Sequence, residues 1–417
     1  MFPPISFRPA FLSYFTKCSV MYYVQCRGKD GRQKNTNFPK NSHMPRIIAD
    51  DKIPFLKGAL EPYAEMIYMP GNEINRDILM HSDALLIRTR TKCNESLLNG
   101  TRIRFIGTAT IGFDHIDTNY CDKNKIIWTN APGCNSASVQ QYISSALLKI
   151  ASENNFQLKN KTLGIIGVGN VGSKVEKFAR AIGMNVLLND PPRERAEGKR
   201  EFHCLDAVLS ESDILTVHVP LNMTGEDHTF HLFNEAVFRK IRRNSWFINS
   251  SRGEVTDTKD LKEALISGIL GGAVIDVWEN EPSIDLELMN LVSIATPHIA
   301  GYSTDGKANG TAMVVNSISK HFHLPLADWY PDNVPSPGAP VISIDCDGKS
   351  EDEIIREAVT HTYNIVEDND RFRLLPSEFE KLRGNYPLRR EFSSYSINLI
   401  RGNSKARQTL KNLGFNI

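Results

Sequence analysis

The chain has no long hydrophobic run, and no apolar stretch approaches the roughly 18 residues that a membrane-spanning helix needs. It has no excess of charge either. Forty-nine lysines and arginines stand against 48 aspartates and glutamates, for a net charge of +1. That balance excludes partners held by bulk charge, such as nucleic acid or an anionic membrane surface. No Cys-x-x-Cys pair occurs. The seven cysteines, at 18, 26, 93, 121, 134, 204 and 346, are odd in number and scattered. A disulfide framework and a structural zinc site are therefore not expected, and a reducing compartment, the cytoplasm, is. The close histidine pairs His228/His231 and His321/His323 have no carboxylate or cysteine at metal-site spacing, so no metal is expected. The first residues make a poor signal peptide, because Arg8, Pro9 and Lys17 interrupt the apolar stretch.

What is present is an ordinary globular composition, 41% hydrophobic, over a length that suggests two or three domains. The character changes at Met44, where PRIIADDKIP opens a strand. Met44 reads as the natural start and residues 1–43 as an N-terminal extension with little fixed structure; the alternative is a tail that packs on a partner subunit. From Met44, strands are expected at 47–50, 65–69, 84–89, 103–109 and 125–132, with helical stretches such as 74–82 between them. This alternation predicts a parallel sheet with crossover helices. A long amphipathic helix, 138–155, leads to a second α/β unit with strands at 161–167, 185–190, 213–220, 245–251 and 272–278. A helix over 312–322 is expected to return to the first unit. Two crossings between the units make a hinge. The expected division is 44–137 with 302–330, then 138–301, then a proline-rich linker and a third segment over 331–417. That third segment reads as a strand at 341–346, one helix at 351–368 and a mixed remainder without a catalytic constellation.

Chemistry concentrates in the second unit. Gly167-Val168-Gly169-Asn170-Val171-Gly172 follows a strand and opens a helix, the context that a dinucleotide fingerprint requires. Gly167 serves a tight turn, Gly169 lets the backbone approach a pyrophosphate at the helix N-terminus, and Gly172 lets helix and strand pack closely. Asp190 ends the next strand, where a carboxylate binds ribose hydroxyls and repels a 2′-phosphate, favouring NAD over NADP; Arg193 nearby softens that preference. Three further residues follow strands at the ligand edge of the sheet: Arg252, Glu281 and His298. A histidine can take a hydroxyl proton, a carboxylate can orient it, and a guanidinium fork can hold a substrate carboxylate. Together they predict hydride chemistry on a hydroxy acid.

The GVGNVG, SSRGEVTD, AVIDVWENEP and TPHIAGY blocks resemble the D-2-hydroxyacid dehydrogenase family over essentially all of Met44 to residue 325. The resemblance implies an α/β fold of two Rossmann-like parallel-sheet domains with a cleft between them, and Arg252, Glu281 and His298 as the catalytic set. It implies that Asp276 and the backbone near Val219 and Ser250 line a nicotinamide pocket, with Ser251 and Gly301 in the same cofactor-binding set. It also implies that Thr89, Thr110 and Tyr302 contact substrate. DPPR at 190–193, NAPGCN at 130–135 and EFEKLRGNYPLRREFSS at 378–394 resemble one biosynthetic branch of that family. That branch acts on a small phosphorylated 2-hydroxy acid and carries a small α+β C-terminal domain for homodimerisation. For the phosphate, Arg88, Arg90 and Lys92 alternate, and an extended chain would put them on one face with Thr89 opposite; Arg88 is taken as the contact. Two other readings stay open: a relative acting on glycerate 3-phosphate or lactate, and a non-catalytic NAD-sensing interaction protein.

Overall fold

The structure, a computed structural model, describes residues 44–198 and 201–417. The expected extension, residues 1–43, lies outside the described residues.

The first sheet has five parallel strands in the order β2-β1-β3-β4-β5: β1 (Arg46–Asp50), β2 (Glu65–Met69), β3 (Ala84–Ile87), β4 (Phe105–Thr108) and β5 (Ile127–Thr129). The second has six, in the order β11-β10-β9-β8-β6-β7: β6 (Thr162–Ile166), β7 (Asn185–Asn189), β8 (Ile214–Val217), β9 (Ser245–Asn249), β10 (Leu270–Ile275) and β11 (Ile294–Ala295). Its pairs are parallel throughout. In β3, β4 and β8 all four residues are buried, as strands covered by helices on both faces must be. A third, two-stranded parallel sheet pairs β12 (Val341–Asp345) with β13 (Ser396–Ile400).

The helix Ser136–Glu153 carries the chain from the first sheet to the second, and the helix Thr304–Phe322 carries it back. The latter lays Val314, Val315 and Ile318 against Ile47, Leu86 and Phe105 of the first sheet. It begins eight residues before the expected 312, because Ser303 caps it through the Gly306 amide (2.8 Å) and small residues fill its first turns. The two crossings touch: Ser138 Oγ donates to the Ala300 carbonyl at 3.0 Å.

Residues 341–417 share a core with the second unit rather than building one apart. Ile354, Ile355, Ala406 and Leu410 cluster with Ile143, Leu147, Val175 and Phe178. This explains why the helix Ser136–Glu153 is buried nearly all round, the second unit packing on one side and the C-terminal segment on the other. The single helix expected over 351–368 is two, Glu351–Thr362 and Ile365–Leu374. Asn364 breaks it by accepting from the Val366 amide as an N-cap. The helix expected over 74–82 is one turn, Arg76–Leu79, capped by Asn75.

Candidate active site

Every second-unit residue singled out in the sequence lies at or just beyond a strand C-terminus. The strand order reverses between β6 and β8, with β7 on one side and β8 to β11 on the other. An open parallel sheet binds its ligand at this switch point. The glycine loop leaves β6 there. Gly167 has φ +86°, and a β-carbon on it would lie 2.6 Å from the His218 carbonyl oxygen. A β-carbon on Gly172 would collide with the Gly167 carbonyl. A β-carbon on Gly169 would meet nothing within 4 Å, which leaves open space on that side of the backbone at the start of the helix Gly172–Ala181. Val171 is the residue before that helix, and the Asn170 side chain rests against Gly133 at the crossing from the first sheet.

Asp190 does more than stand at the end of β7. Its Oδ2 accepts from the Val168 amide (2.8 Å) and its Oδ1 from the Arg193 amide (3.0 Å), so it braces the glycine loop and caps the following helix. The Arg193 guanidinium is turned to Glu197 (2.7 Å) and to the Val168 carbonyl (2.6 Å), which partly neutralises the charge expected to soften a preference for NAD. Val219 packs against Gly167. The Ser250 hydroxyl is buried and has no hydrogen-bond partner, whereas Ser251 Oγ donates to Asn249 Oδ1 at 2.8 Å. Open space at Gly169 and an orphaned hydroxyl at Ser250 fit a dinucleotide lying along these strand ends.

Glu281 and His298 meet. His298 Nδ1 lies 2.8 Å from Glu281 Oε2, while Glu281 Oε1 accepts from the Trp278 amide at 3.0 Å. Burial pushes the Glu281 carboxyl up, but the histidine bond and charge, the Trp278 amide and the Arg383 guanidinium outweigh it. They hold the group below the usual carboxylate range. His298 adopts φ +56°, a left-handed conformation that a non-glycine residue rarely takes and that clusters at functional sites. Asp276 holds it there. Its carbonyl accepts from the His298 amide (2.7 Å), and its carboxylate accepts from the Ile299 and Ala300 amides (2.8 and 2.9 Å) and from Thr296 Oγ1 (2.7 Å). Asp276 is 1% exposed, and burial raises its pKa.

Arg252 reaches across toward the first unit. Its Nη2 lies 3.9 Å from Asp114 Oδ2, and the Gly112 backbone packs against the guanidinium. Thr110 stands at the foot of that loop, its Oγ1 donating to the Gly112 carbonyl at 2.9 Å. Gly301 rests on Asn135, where the two crossings meet. Tyr302 is half-buried beyond it, with the Tyr386 ring edge-on at 5.8 Å.

The extended RTRTK stretch is not there. β3 ends at Ile87, and Thr89 and Arg90 form a turn, so strand alternation does not set which way these side chains face. Arg88 Nη1 donates to the Lys52 carbonyl (3.3 Å), and Arg90 pairs with Glu380 of the C-terminal segment (3.0 Å). Two cations that sequence reasoning missed stand at Tyr302 instead. Lys307 Nζ and the Arg383 guanidinium lie 5.3 and 5.5 Å from its ring centre. Arg383 sits in the EFEKLRGNYPLRREFSS stretch, which pointed only to kinship. Among the described residues no three His, Cys, Asp or Glu side chains gather as a metal site, and no helix is long and apolar enough to cross a membrane.

Residues 138–300 match the family described as D-isomer specific 2-hydroxyacid dehydrogenase, NAD binding domain. The chain is 52% identical over 353 residues to the erythronate-4-phosphate dehydrogenase of Bacteroides thetaiotaomicron, covering 84% of this chain and 99% of that one. This chain belongs to the erythronate-4-phosphate dehydrogenase family. Another member of the family, from Porphyromonas gingivalis, is 40% identical, covering 84% of this chain and 95% of its own. A D-lactate dehydrogenase of Aquifex aeolicus, solved with NAD and lactic acid, superposes with a TM-score of 0.56 at 26% identity. It covers 70% of this chain and all of its own. Residues 336–414 match a domain of unknown function (DUF3410). The fold and the cofactor expected from the sequence, two Rossmann-like sheets and NAD, are those of this family.

Proposed function

We propose that this protein oxidises 4-phospho-D-erythronate to (R)-3-hydroxy-2-oxo-4-phosphobutanoate, with NAD, in the synthesis of pyridoxal 5′-phosphate. The observation that carries the chemistry is the 2.8 Å pair between Glu281 and His298. With Nδ1–H donating to the carboxylate, Nε2 keeps its lone pair and takes the hydroxyl proton of the substrate as C2 passes from alcohol to ketone. The Glu281 carboxylate stabilises the imidazolium that results. Arg252 holds the substrate carboxylate through its guanidinium fork and polarises the reacting oxygen. When bound, NAD supplies the hydride acceptor. Gly167, Gly169, Asn170, Val171, Gly172 and Asp190 hold its adenosine side, and Val219, Ser250, Ser251, Asp276 and Gly301 its nicotinamide side. Thr89, Thr110, Tyr302 and Arg88 contact the substrate.

Residues 44–137 with 302–330 act as the substrate domain and 138–301 as the NAD domain. Residues 331–417 carry homodimerisation. The large apolar side chains left exposed there, Val341 (62%), Leu374 (80%) and Leu388 (51%), support an interface on this segment. We assign the protein to the cytoplasm, in keeping with the unpaired, buried thiols of Cys93, Cys121, Cys134 and Cys346. The deciding experiment measures NADH formation with 4-phospho-D-erythronate, 3-phosphoglycerate and D-lactate. Turnover is expected with the first, and its absence overturns the proposal. Sedimentation of the full chain tests the dimer, and a monomer at micromolar concentration overturns that part.

A further inference from the structure

Lys307 and Arg383 stand at Tyr302, and two more cations and one carboxylate adjoin them. Arg88 directly follows β3, Lys307 comes from the first turn of the helix Thr304–Phe322, Arg90 from the turn after β3, and Arg383 from the helix Phe379–Gly384 of the C-terminal segment. Glu380 is the carboxylate. It takes Arg90 at 3.0 Å and Arg383 Nη1 at 3.1 Å, and so is shared between two guanidinium groups. Lys307 is half-buried and has no carboxylate partner among the described residues. Burial, and after it the Arg88 charge, lower its pKa. Arg383 Nε is buried with no acceptor. An N–H left unmade in this way costs about 1–3 kcal/mol, and an ammonium withdrawn from water beside another cation is also uphill. Among the described residues the Lys307 ammonium and the Arg383 Nε are left without an acceptor, although Arg383 Nη1 has Glu380; a dianion with several acceptor oxygens satisfies both, the guanidinium through its remaining N–H groups and the ammonium as a point charge.

The place is as telling as the charge. Tyr302 lies four residues beyond His298, and the Arg383 charge reaches the Glu281 carboxylate that orients that histidine. We propose that Arg383 and Lys307, with Arg88, form the phosphate-binding end of the substrate site, so that the C-terminal segment supplies a specificity-determining cation to the cleft of its own chain. This rests on the substrate assigned above. Of the basic face expected from RTRTK it keeps Arg88: Arg90 has no contact with Tyr302 and reaches the group only through the Glu380 it shares with Arg383, and Lys92 is exposed.

The test uses the full-length protein with saturating NAD and three variants, Arg383→Met, Lys307→Met and, as a control outside the cluster, Lys92→Met. Methionine keeps the packing stem of Arg383 against Tyr302 and Phe379. Inorganic phosphate is the probe, read as competitive inhibition of turnover and as a rise in melting temperature. Removing one charge-assisted bond should raise both the KM for 4-phospho-D-erythronate and the phosphate inhibition constant by about ten- to a hundredfold. The kcat should stay within a few fold, and Lys92→Met should match the wild type. An unchanged phosphate constant in Arg383→Met overturns the proposal; if that variant does not fold, Lys307→Met decides by the same measure. Should the wild type fail to turn over 4-phospho-D-erythronate, the assigned substrate falls. The anion site is then still decided by whether phosphate raises the wild-type melting temperature and not that of the variants.

Discussion

The ends of the second sheet and the C-terminal segment both reach the cleft, but they reach it differently. At the sheet, each functional group sits within a few residues of the strand that places it: Gly167 after β6, Asp190 after β7, Ser250 after β9, Asp276 after β10 and His298 after β11. Local sequence therefore decides where the group goes. In the C-terminal segment the decisive contacts join residues that are far apart in the chain. Arg390 forks onto Asp305 at 2.9 and 2.8 Å, Ser303 Oγ donates to Glu391 at 2.8 Å, and the Thr304 amide donates to the Arg389 carbonyl. These bonds clasp the return crossing between the two sheets. A site on strand ends is written in short motifs, whereas a site made by packing one segment onto another leaves no motif to read.

The largest expected effect falls on the sheet side of that comparison. His298→Ala should lower kcat by about a hundred- to ten-thousandfold, the usual range for a general base, while the dissociation constant for NAD stays near the wild-type value. Stopped-flow NAD binding with steady-state turnover checks both. Loss of NAD binding would mean that the strand ends are not independent modules, as the comparison holds them to be.

The next effect tests the other side. Arg389 is buried, stacks 3.7 Å from the Tyr363 ring centre, and donates to Gln141 Oε1 (2.8 Å) and the Ser138 carbonyl (2.6 Å). Arg389→Met leaves those acceptors without their donor and should cost about 3 kcal/mol or more. Because residues 341–417 share a core with the NAD-binding unit, the loss should appear as one cooperative transition moved to lower temperature. Two transitions, with only one of them shifted, would make the C-terminal segment a separate body.

A milder change sharpens the reading of the glycine loop. Gly172→Ala pushes a methyl group into the Gly167 carbonyl, and overpacking of this kind costs about 1–3 kcal/mol. NAD affinity should fall by about tenfold along with stability, because the displaced backbone is the part proposed to face the pyrophosphate. Stability lost with NAD affinity intact would separate the packing role of Gly172 from cofactor binding.

These contrasts show what was legible beforehand. The second-sheet strands could be read because burial on both faces writes them as apolar runs, and the pairing of Glu281 with His298 because each follows such a run. The failures have local causes. The basic stretch after β3 alternates as an extended chain does, yet the strand stops at Ile87 and a turn follows. One helix became two because the Asn364 side chain competes for a backbone amide. The first turns of the helix from Thr304 are hard to see in the sequence because glycines weaken a helical pattern, although here Gly306 and Gly310 let the backbone pass close to Asn135 and Ala109. Arg383 could not be placed at all. Its meaning depends on Tyr302 lying under it, and nothing in residues 378–394 alone says so.

The smallest effect concerns how firmly the C-terminal segment holds the crossing. Burial, with the Asp305 charge next, pushes the Glu391 carboxyl up to about 7. The groups facing it include the Ser303 hydroxyl, Asp305, Arg389, Lys174 and the Cys134 thiol. A carboxyl whose folded pKa lies above its unfolded value binds more protons when folded. Its stabilising contribution is therefore full below the unfolded value of 4.5 and is lost as pH rises through about 7. One such group removes about 1 kcal/mol between pH 6 and 7. Glu391→Gln keeps an acceptor for Ser303 and cannot ionise, so its stability should be flatter over that interval than the wild type's. Chemical denaturation at pH 6 and at pH 7 measures the difference. Equal slopes in the two proteins would mean that Glu391 stays ionised at its buried position, and that the crossing is clasped by charge pairs rather than by a shared proton.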